Sequence, residues 1–313
     1  MASALLALAA TLVPRPNFAL LTEVGSGLLE LAPVVAIAAA LAGALAATDL
    51  SERVSTWMGP GPMRAIGVGS LAGALTPVCG LGIVPLIAVL LRRGLPLSAV
   101  MAFWIASPIT DPGMLVVTAG ILGWSFAGAK TLAAFGAGML AGFVTHAVPL
   151  QRLSGRELLR PGIAAPACEG EPARGWRAFA PEALANARLI ARWLVLALVL
   201  EVLVQRHVPP ELIESLLGSG ALAVPLAAIA GAPLYLDGYA ALPLVRGFAE
   251  LGTSAGAVMA LLMSGAAVSL YAAVAVYSLV RWPVFLLYVA LAIGSAVVAG
   301  YAVDLLGVPI AVD

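Results

Sequence analysis

The chain has 313 residues, 62% of them hydrophobic and only 10% charged, with no formal net charge and a mean hydropathy of +1.06. Soluble domains run at roughly 45–50% apolar and about 25% charged residues. The composition therefore excludes a water-soluble enzyme or nucleic-acid-binding domain and describes a polytopic membrane protein. Its two cysteines, Cys79 and Cys168, are too few for a disulfide framework and read as free thiols.

The first 13 residues, MASALLALAATLV, lack a basic leader, and no small-residue cleavage site precedes Pro14-Arg15-Pro16. They read as a short interfacial segment rather than a cleaved signal. Eight later stretches approach the roughly 20 apolar residues that a bilayer span requires: 24–48, 65–91, 97–123, 128–148, 189–205, 218–246, 254–280 and 283–305. The expected fold is an all-α integral membrane protein of about eight transmembrane helices in two four-span repeats. The first membrane repeat covers 1–148, a cytoplasmic connecting loop with Pro161, Pro166 and Pro172 covers 149–188, and the second membrane repeat covers 189–313.

With eight spans, one side holds Arg15, Arg92, Arg93, Arg152, Arg156, Arg160, Arg174, Arg177, Arg188, Arg192 and Arg246. The other holds Arg53, Arg64, Lys130, Arg206 and Arg281. That imbalance places both termini in the cytoplasm, here of a bacterial inner membrane. An even number of spans per half makes the halves parallel copies about an axis along the membrane normal, unless a motif segment re-enters instead of spanning.

The repeat itself is visible in the sequence at an offset of 158 residues. Gly73, Gly80, Pro85, Leu86, Gly94 and the run Ala99 to Ala102 fall on Gly231, Gly238, Pro243, Leu244, Gly252 and Ala257 to Ala260 without a gap. Both copies are apolar segments interrupted by Gly and Pro. The stretch Thr76 to Pro85 carries two Pro and two Gly, which remove backbone donors and admit unusual dihedrals. A second break falls at Ser107-Pro108-Ile109-Thr110-Asp111-Pro112. Unwound backbone at membrane depth is tolerated only inside protein or along a watery cavity. Counted at 1.5 Å per residue from the hairpin tip at Arg93-Gly94, both breaks lie roughly 20 Å in, near the middle of a ~30 Å core. Thr76, Cys79, Ser107, Thr110 and Asp111 should thus face Tyr235, Asp237, Ser264 and Ser269 near the midplane.

An acidic residue at the bilayer centre costs about 2.5–3.5 kcal/mol on insertion scales, so Asp111 and Asp237 should face a cavity or a partner. They suit a proton-coupled carrier or a cation site, although each also fits a plain helix cap. Glu201 lies deep in its span as a further coupling candidate, while Glu30 lies nearer a membrane face. Cys79 and Asp237 are the candidate metal ligands. The hydroxyls of Ser107, Thr110, Ser264 and Ser269 suit either the site or helix packing, and Tyr235 a gate or an ordinary buried aromatic. His146 and His207 sit at membrane edges without metal-ligand spacing, and Arg92-Arg93 serves topology.

TPVCGLGIVPL, followed by GLPLSAVMAFWIASPITDP, resembles the signature of the predicted-permease family that contains the organoarsenical efflux (ArsP-type) permeases and relatives linked to metal efflux. That family's pattern runs close to TPFCSCGxIPL, then SPxxNP, then a second-half GxPLY…G…P segment. The resemblance implies an eight-span permease and covers most of the membrane part. Two departures bear on the substrate. The family's Cys-x-Cys is Cys79-Gly80-Leu81 here, and its Asn in SPxxNP is Asp111. One thiol with two carboxylates makes a harder, more acidic site than a thiol pair.

The function expected is a secondary-active permease exporting a small metal ion, metalloid or organometalloid, proton-coupled through membrane aspartates. It would need no cofactor, since no nucleotide-binding P-loop is present, and its partners would be the solute and the lipid bilayer. Two alternatives are a channel or permease for another small solute and an intramembrane enzyme, whose GxGD context is missing from Tyr235-Leu236-Asp237-Gly238.

Overall fold

A computed structural model describes residues 61–75, 83–92, 94–110, 112–152, 155–160, 220, 222–232, 241–250 and 252–311. Among these, eleven α-helices form the structure: α1 (Pro62–Leu75), α2 (Ile83–Arg92), α3 (Leu97–Ala106), α4 (Pro112–Leu122), α5 (Trp124–Ala147), α6 (Gly155–Leu158), α7 (Ala223–Gly231), α8 (Ala241–Glu250), α9 (Ala255–Ala267), α10 (Leu270–Leu279) and α11 (Trp282–Leu306). A single antiparallel bridge, Leu159 to Val280, is the extended pairing found there. The expected spans at 24–48 and 189–205 lie outside the described residues.

Helices α2, α3, α4 and α5 begin at residues 83, 97, 112 and 124, and α8, α9, α10 and α11 at 241, 255, 270 and 282. Each pair is separated by the 158 residues of the sequence register. The local geometry matches as well. Gly94 and Gly252 adopt φ of 82° and 91°, and each closes its hairpin with the same pair of bonds. Gly94 and Leu95 donate to the carbonyls of Leu91 and Leu90, and Gly252 and Thr253 to those of Ala249 and Phe248. This is the Schellman arrangement, in which a left-handed glycine ends a helix.

Direction follows from the close contacts. A Cβ on Gly69 would lie 2.5 Å from the carbonyl oxygen of Ala99, and one on Gly73 2.6 Å from that of Phe103. Both numbers rise together, so α1 and α3 run parallel. The second half repeats the contact, with a Cβ on Gly231 falling 2.6 Å from the oxygen of Leu261. Helix α5 runs the other way: Gly138 packs on the Ala102 carbonyl and Ala106, and Gly142 on Ala102 and Ile66. Ser70 ties α1 to α5 by donating to the Phe135 carbonyl at 2.6 Å.

These directions correct the expected topology. Since α1 parallels α3, and α2 ends at the turn where α3 begins, the segment 62–92 enters and leaves on one face. The described helices of 65–91 and 218–246, α1 with α2 and α7 with α8, therefore do not line up as single spans. Helices α3 and α4 together cross to the opposite face, where Gly123 turns the chain into α5. The parallel arrangement of the halves is also overturned. The Ala311 amide, just past α11, donates to the Leu122 carbonyl at the entry to α5 (3.0 Å). At the other end, Arg160 and Arg281 exchange backbone bonds with Leu279 and Leu158, each 3.0 Å. So α5 and α11 are antiparallel, and Arg160 and Arg281, expected on opposite sides, share a face. Arg64 and Arg92 share it too, because α1 begins and α2 ends there.

Two described helices are long and apolar enough to cross a bilayer, α5 with 24 residues and α11 with 25. At 1.5 Å per residue each is about 36 Å long. A third crossing forms if α9 and α10, which meet at 46°, act as one bent span. Inward faces of α5 and α11 are mostly small: Ala127, Ala134, Ala137, Gly138, Ala141 and Gly142 on one, Ala292, Ser295, Ala296, Ala299 and Gly300 on the other. Outward faces carry Leu132, Phe143, Leu286 and Val298, as lipid requires. Trp124 and Trp282 open the two helices on opposite faces, both exposed, where amphipathic rings mark a membrane boundary.

Two outcomes follow. Gly73→Ala and Gly231→Ala should each lower stability by about 1–3 kcal/mol, because a methyl cannot fit beside a backbone carbonyl. Gly67→Ala and Gly120→Ala, with nothing within 4 Å of the new Cβ, should not, as melting in detergent will show. In a background with Cys79 and Cys168 replaced by Ser, Arg281→Cys and Leu306→Cys should react with an impermeant thiol reagent from opposite sides of the membrane.

Candidate functional site

Both crossing pairs break inside the bundle. Helix α3 is buried at all ten positions and stops at Ala106, about 15 Å from its start. Ser107 caps it, its amide donating to the Phe103 carbonyl at 3.1 Å, and the chain continues through Ile109 to Thr110, all three residues buried. In the second half α9 is buried from Gly256 to Gly265 and ends at Ala267. Val268 and the buried Ser269 form the break before α10. Because α3 and α9 start from opposite faces, the two breaks approach mid-depth from opposite sides.

Of the residues expected to line a site, Ser107, Thr110, Ser264 and Ser269 are described and are buried at or beside the breaks. Thr76, Cys79, Asp111, Glu201, Tyr235 and Asp237 lie outside the described residues. Two of the four described hydroxyls serve the backbone. Ser264 donates to the Leu261 carbonyl at 3.3 Å and packs where Gly231 has no side chain. Ser269 caps α10 by accepting from the Ala272 amide at 3.4 Å. Its counterpart in the 158-residue register is Asp111. Among the described residues no group of three His, Cys, Asp or Glu side chains could hold a metal ion.

The structure adds interior residues that the sequence reading passed over. Lys130 had been counted with the flanking charges, yet it lies in the second turn of α5 at 2% exposure. It is the only charged side chain buried among the described residues. Its register counterpart on α11 is Tyr288, at 1% exposure. The Tyr288 hydroxyl donates to the Ala267 carbonyl at the end of α9, so the tyrosine closes the backbone at that break. Its ring lies 5.0 Å from that of Trp104 on α3, which joins the two halves. The Trp104 indole N–H is buried without a hydrogen-bond partner among the described residues. The signal that would have found Lys130 and Tyr288 is their 158-residue spacing combined with the start of α5 four residues earlier than the span expected at 128.

A groove of about 670 Å³ runs between α5 and α11, lined by Gly128, Leu132, Gly136, Val298 and Ala302 among others. It is almost wholly apolar and holds none of the expected site residues. Buried hydroxyls and interrupted backbone coincide instead at the breaks.

The model of the ArsP_1 family, described as predicted permease, matches residues 19–305. The chain belongs to this family. Among curated proteins the chain is similar to the UPF0718 protein YcgR of Bacillus subtilis (strain 168), 35% identical over 91 residues, which is 29% of this chain and 31% of the relative. The match thus spans about a third of that relative's length. No solved structure matches. Family membership and the apolar helices make this a membrane protein of the predicted-permease family.

Tyr288→Phe should keep the contact with Trp104 but leave the Ala267 carbonyl without its donor. The expected loss is about 0.5–1.5 kcal/mol of stability, read as a lower melting temperature in detergent, with the helical circular dichroism signal unchanged.

Proposed function

We propose that the permease is a secondary-active exporter of a small metal ion, metalloid or organometalloid, working through two inverted copies of one fold. The observation that supports this reading is the pair of breaks after α3 and α9, buried between helices that enter from opposite faces. In transporters built from inverted repeats, substrate and coupling ions bind at discontinuous helices near the midplane, and alternating access comes from rocking one copy against the other. Each copy would contribute two crossing pieces, a broken pair and a long helix, around one re-entrant hairpin, with the stretches 24–48 and 189–205 adding a further span apiece.

On this reading Thr76, Cys79, Ser107, Thr110 and Asp111 line the site from one copy and Tyr235, Asp237, Ser264 and Ser269 from the other. Cys79 and Asp237 supply the metal ligands. Asp111, Asp237 and Glu201 carry the coupling proton, since no P-loop offers ATP as a direct source of energy. The face bearing Arg64, Arg92, Arg160 and Arg281, together with the connection 149–188, is cytoplasmic in a bacterial inner membrane. The C-terminal end of α11 then lies on the opposite face, not in the cytoplasm.

Flux into proteoliposomes under an imposed proton gradient tests the reading, with arsenite, methylarsenite, zinc and copper(I) as solutes. Wild type should accumulate at least one of them. Asp111→Asn combined with Asp237→Asn should lower the proton-driven rate by about tenfold or more, the scale of a lost interaction with a charge. Unchanged flux in that double variant would remove the aspartates from coupling. Flux of none of the four would defeat export of this solute class.

A further inference from the structure

We propose that Arg160 and Arg281 bind the phosphate of an anionic phospholipid at the membrane face where α11 begins. The inference concerns a surface outside the breaks and does not depend on which solute is carried.

The chain builds this corner from its backbone. Leu159 pairs with Val280 in the antiparallel bridge, the Arg160 amide donates to the Leu279 carbonyl, and the Arg281 amide to that of Leu158. Residues 160 and 281 are thus diagonal neighbours across the pair. Their side chains leave on one side of it, with Cβ atoms about 7–8 Å apart, while those of Leu159 and Val280 leave on the other. Two guanidinium groups at that spacing reach one phosphate between them.

Arg160 is held in place by uncharged partners. Its Nε donates to the Val280 carbonyl at 3.1 Å, and its Cζ lies 3.9 Å from the centre of the Tyr277 ring. Those contacts fix the plane of the guanidinium and leave the N–H donors of Nη1 and Nη2, which match phosphate oxygens. Neither arginine has a carboxylate partner among the described residues.

The surface beside them is aromatic. Tyr277 meets Trp282 and Phe285 edge to face, at 5.9 and 5.5 Å, and Trp282 stacks on Phe285. Trp282 is 54% exposed and Leu286, one turn deeper, 48%, on a helix long and apolar enough to cross a bilayer. Acyl chains therefore lie against Leu286 and headgroups at the level of Trp282. The neighbour placed beside the arginines is lipid, and its phosphate is the group that two guanidiniums select.

The opposite face shows that the fold itself does not require these charges. There the segment after α11 lies against the corner before α5, with Ala311 donating to the Leu122 carbonyl and Trp124 exposed as Trp282 is. The register counterpart of Arg281 is Gly123, and residues 307–311, GVPIA, carry no charge. One construction serves both corners, and only one of them is equipped for an anion.

The test is thermal melting of the purified full chain at fixed detergent, titrated with phosphatidylglycerol, phosphatidylcholine or glycerol phosphate. Phosphatidylglycerol should raise the melting temperature, and the other two should not. Arg281→Gln, at an exposed position that enters the bridge by its backbone, should raise the half-saturating phosphatidylglycerol concentration by about fivefold. Adding Arg160→Gln should raise it about fivefold again. Arg64→Gln, an exposed charge on the same face, should leave it within about twofold. The proposal is overturned if phosphatidylglycerol gives no more stabilisation than phosphatidylcholine. It is equally overturned if Arg64→Gln weakens the response as much as Arg281→Gln, since the attraction would then be diffuse. Equal stabilisation by glycerol phosphate would make this a site for a free anion and sink the lipid assignment. Should the double variant melt early without lipid, the titration of Arg281→Gln alone decides. Solute flux tests the permease reading separately, because Arg281→Gln removes nothing from the breaks.

Discussion

Helices in a bilayer gain little from hiding apolar surface, because lipid is as apolar as leucine; they associate by packing closely and by satisfying polar groups. In this chain the close packing is glycine against carbonyl. Gly69 and Gly73 let α1 lie on the backbone of α3, Gly138 and Gly142 bring α5 onto the same helix, and Gly231, Gly256 and Gly300 repeat the arrangement in the second half. The rest of the architecture depends on those contacts. With α1 held parallel to α3, the chain between them has to return to the face it left. That return is α2, ending at Gly94. In the described residues the second half runs in the opposite sense, with α11 antiparallel to α5.

The breaks are tolerated because they are enclosed. A helix that stops inside lipid leaves carbonyls and amides unmatched, at several kcal/mol apiece. Here the neighbouring side chains meet that demand. Ser269 caps α10, Ser264 bonds within α9, and Tyr288 donates to the last carbonyl of α9. These three hydroxyls are committed to the backbone. A hydroxyl lining a cavity in a diagram of spans is thus weak evidence of ligand contact, since holding an interrupted helix together gives it sufficient employment.

Much of the scaffold was legible in the sequence, for a physical reason. Gly94 and Gly252 hold positive φ, and Pro and Gly interrupt helices wherever they occur, so conformational demands on single residues appear directly as residue types. The breaks near Ser107 and Ser269 and the 158-residue register follow from such demands. Direction does not. Whether 65–91 spans or re-enters depends on which helix Gly73 packs against, a tertiary contact that hydropathy cannot report. Counting apolar stretches assumed a crossing for each, and the orientation of the second half and the sorting of Arg64 and Arg281 inherited that error. Lys130 was missed on related grounds. Near the start of an apolar stretch a lysine reads as a flank, and only the entry of α5 at Trp124 puts it a full turn and a half inside.

The two halves share a backbone but not their interior chemistry. Ser98 and Ser107 in the first half stand opposite Gly256 and Gly265 in the second, and Lys130 stands opposite Tyr288. An inverted pair with identical side chains would present the same niche to either face. Here the niche near the face of Trp124 holds an ammonium, and the one near the face of Trp282 holds a tyrosine already bonded to Ala267. A buried charge changes energy steeply as its surroundings move between protein and water, whereas a bonded hydroxyl changes little.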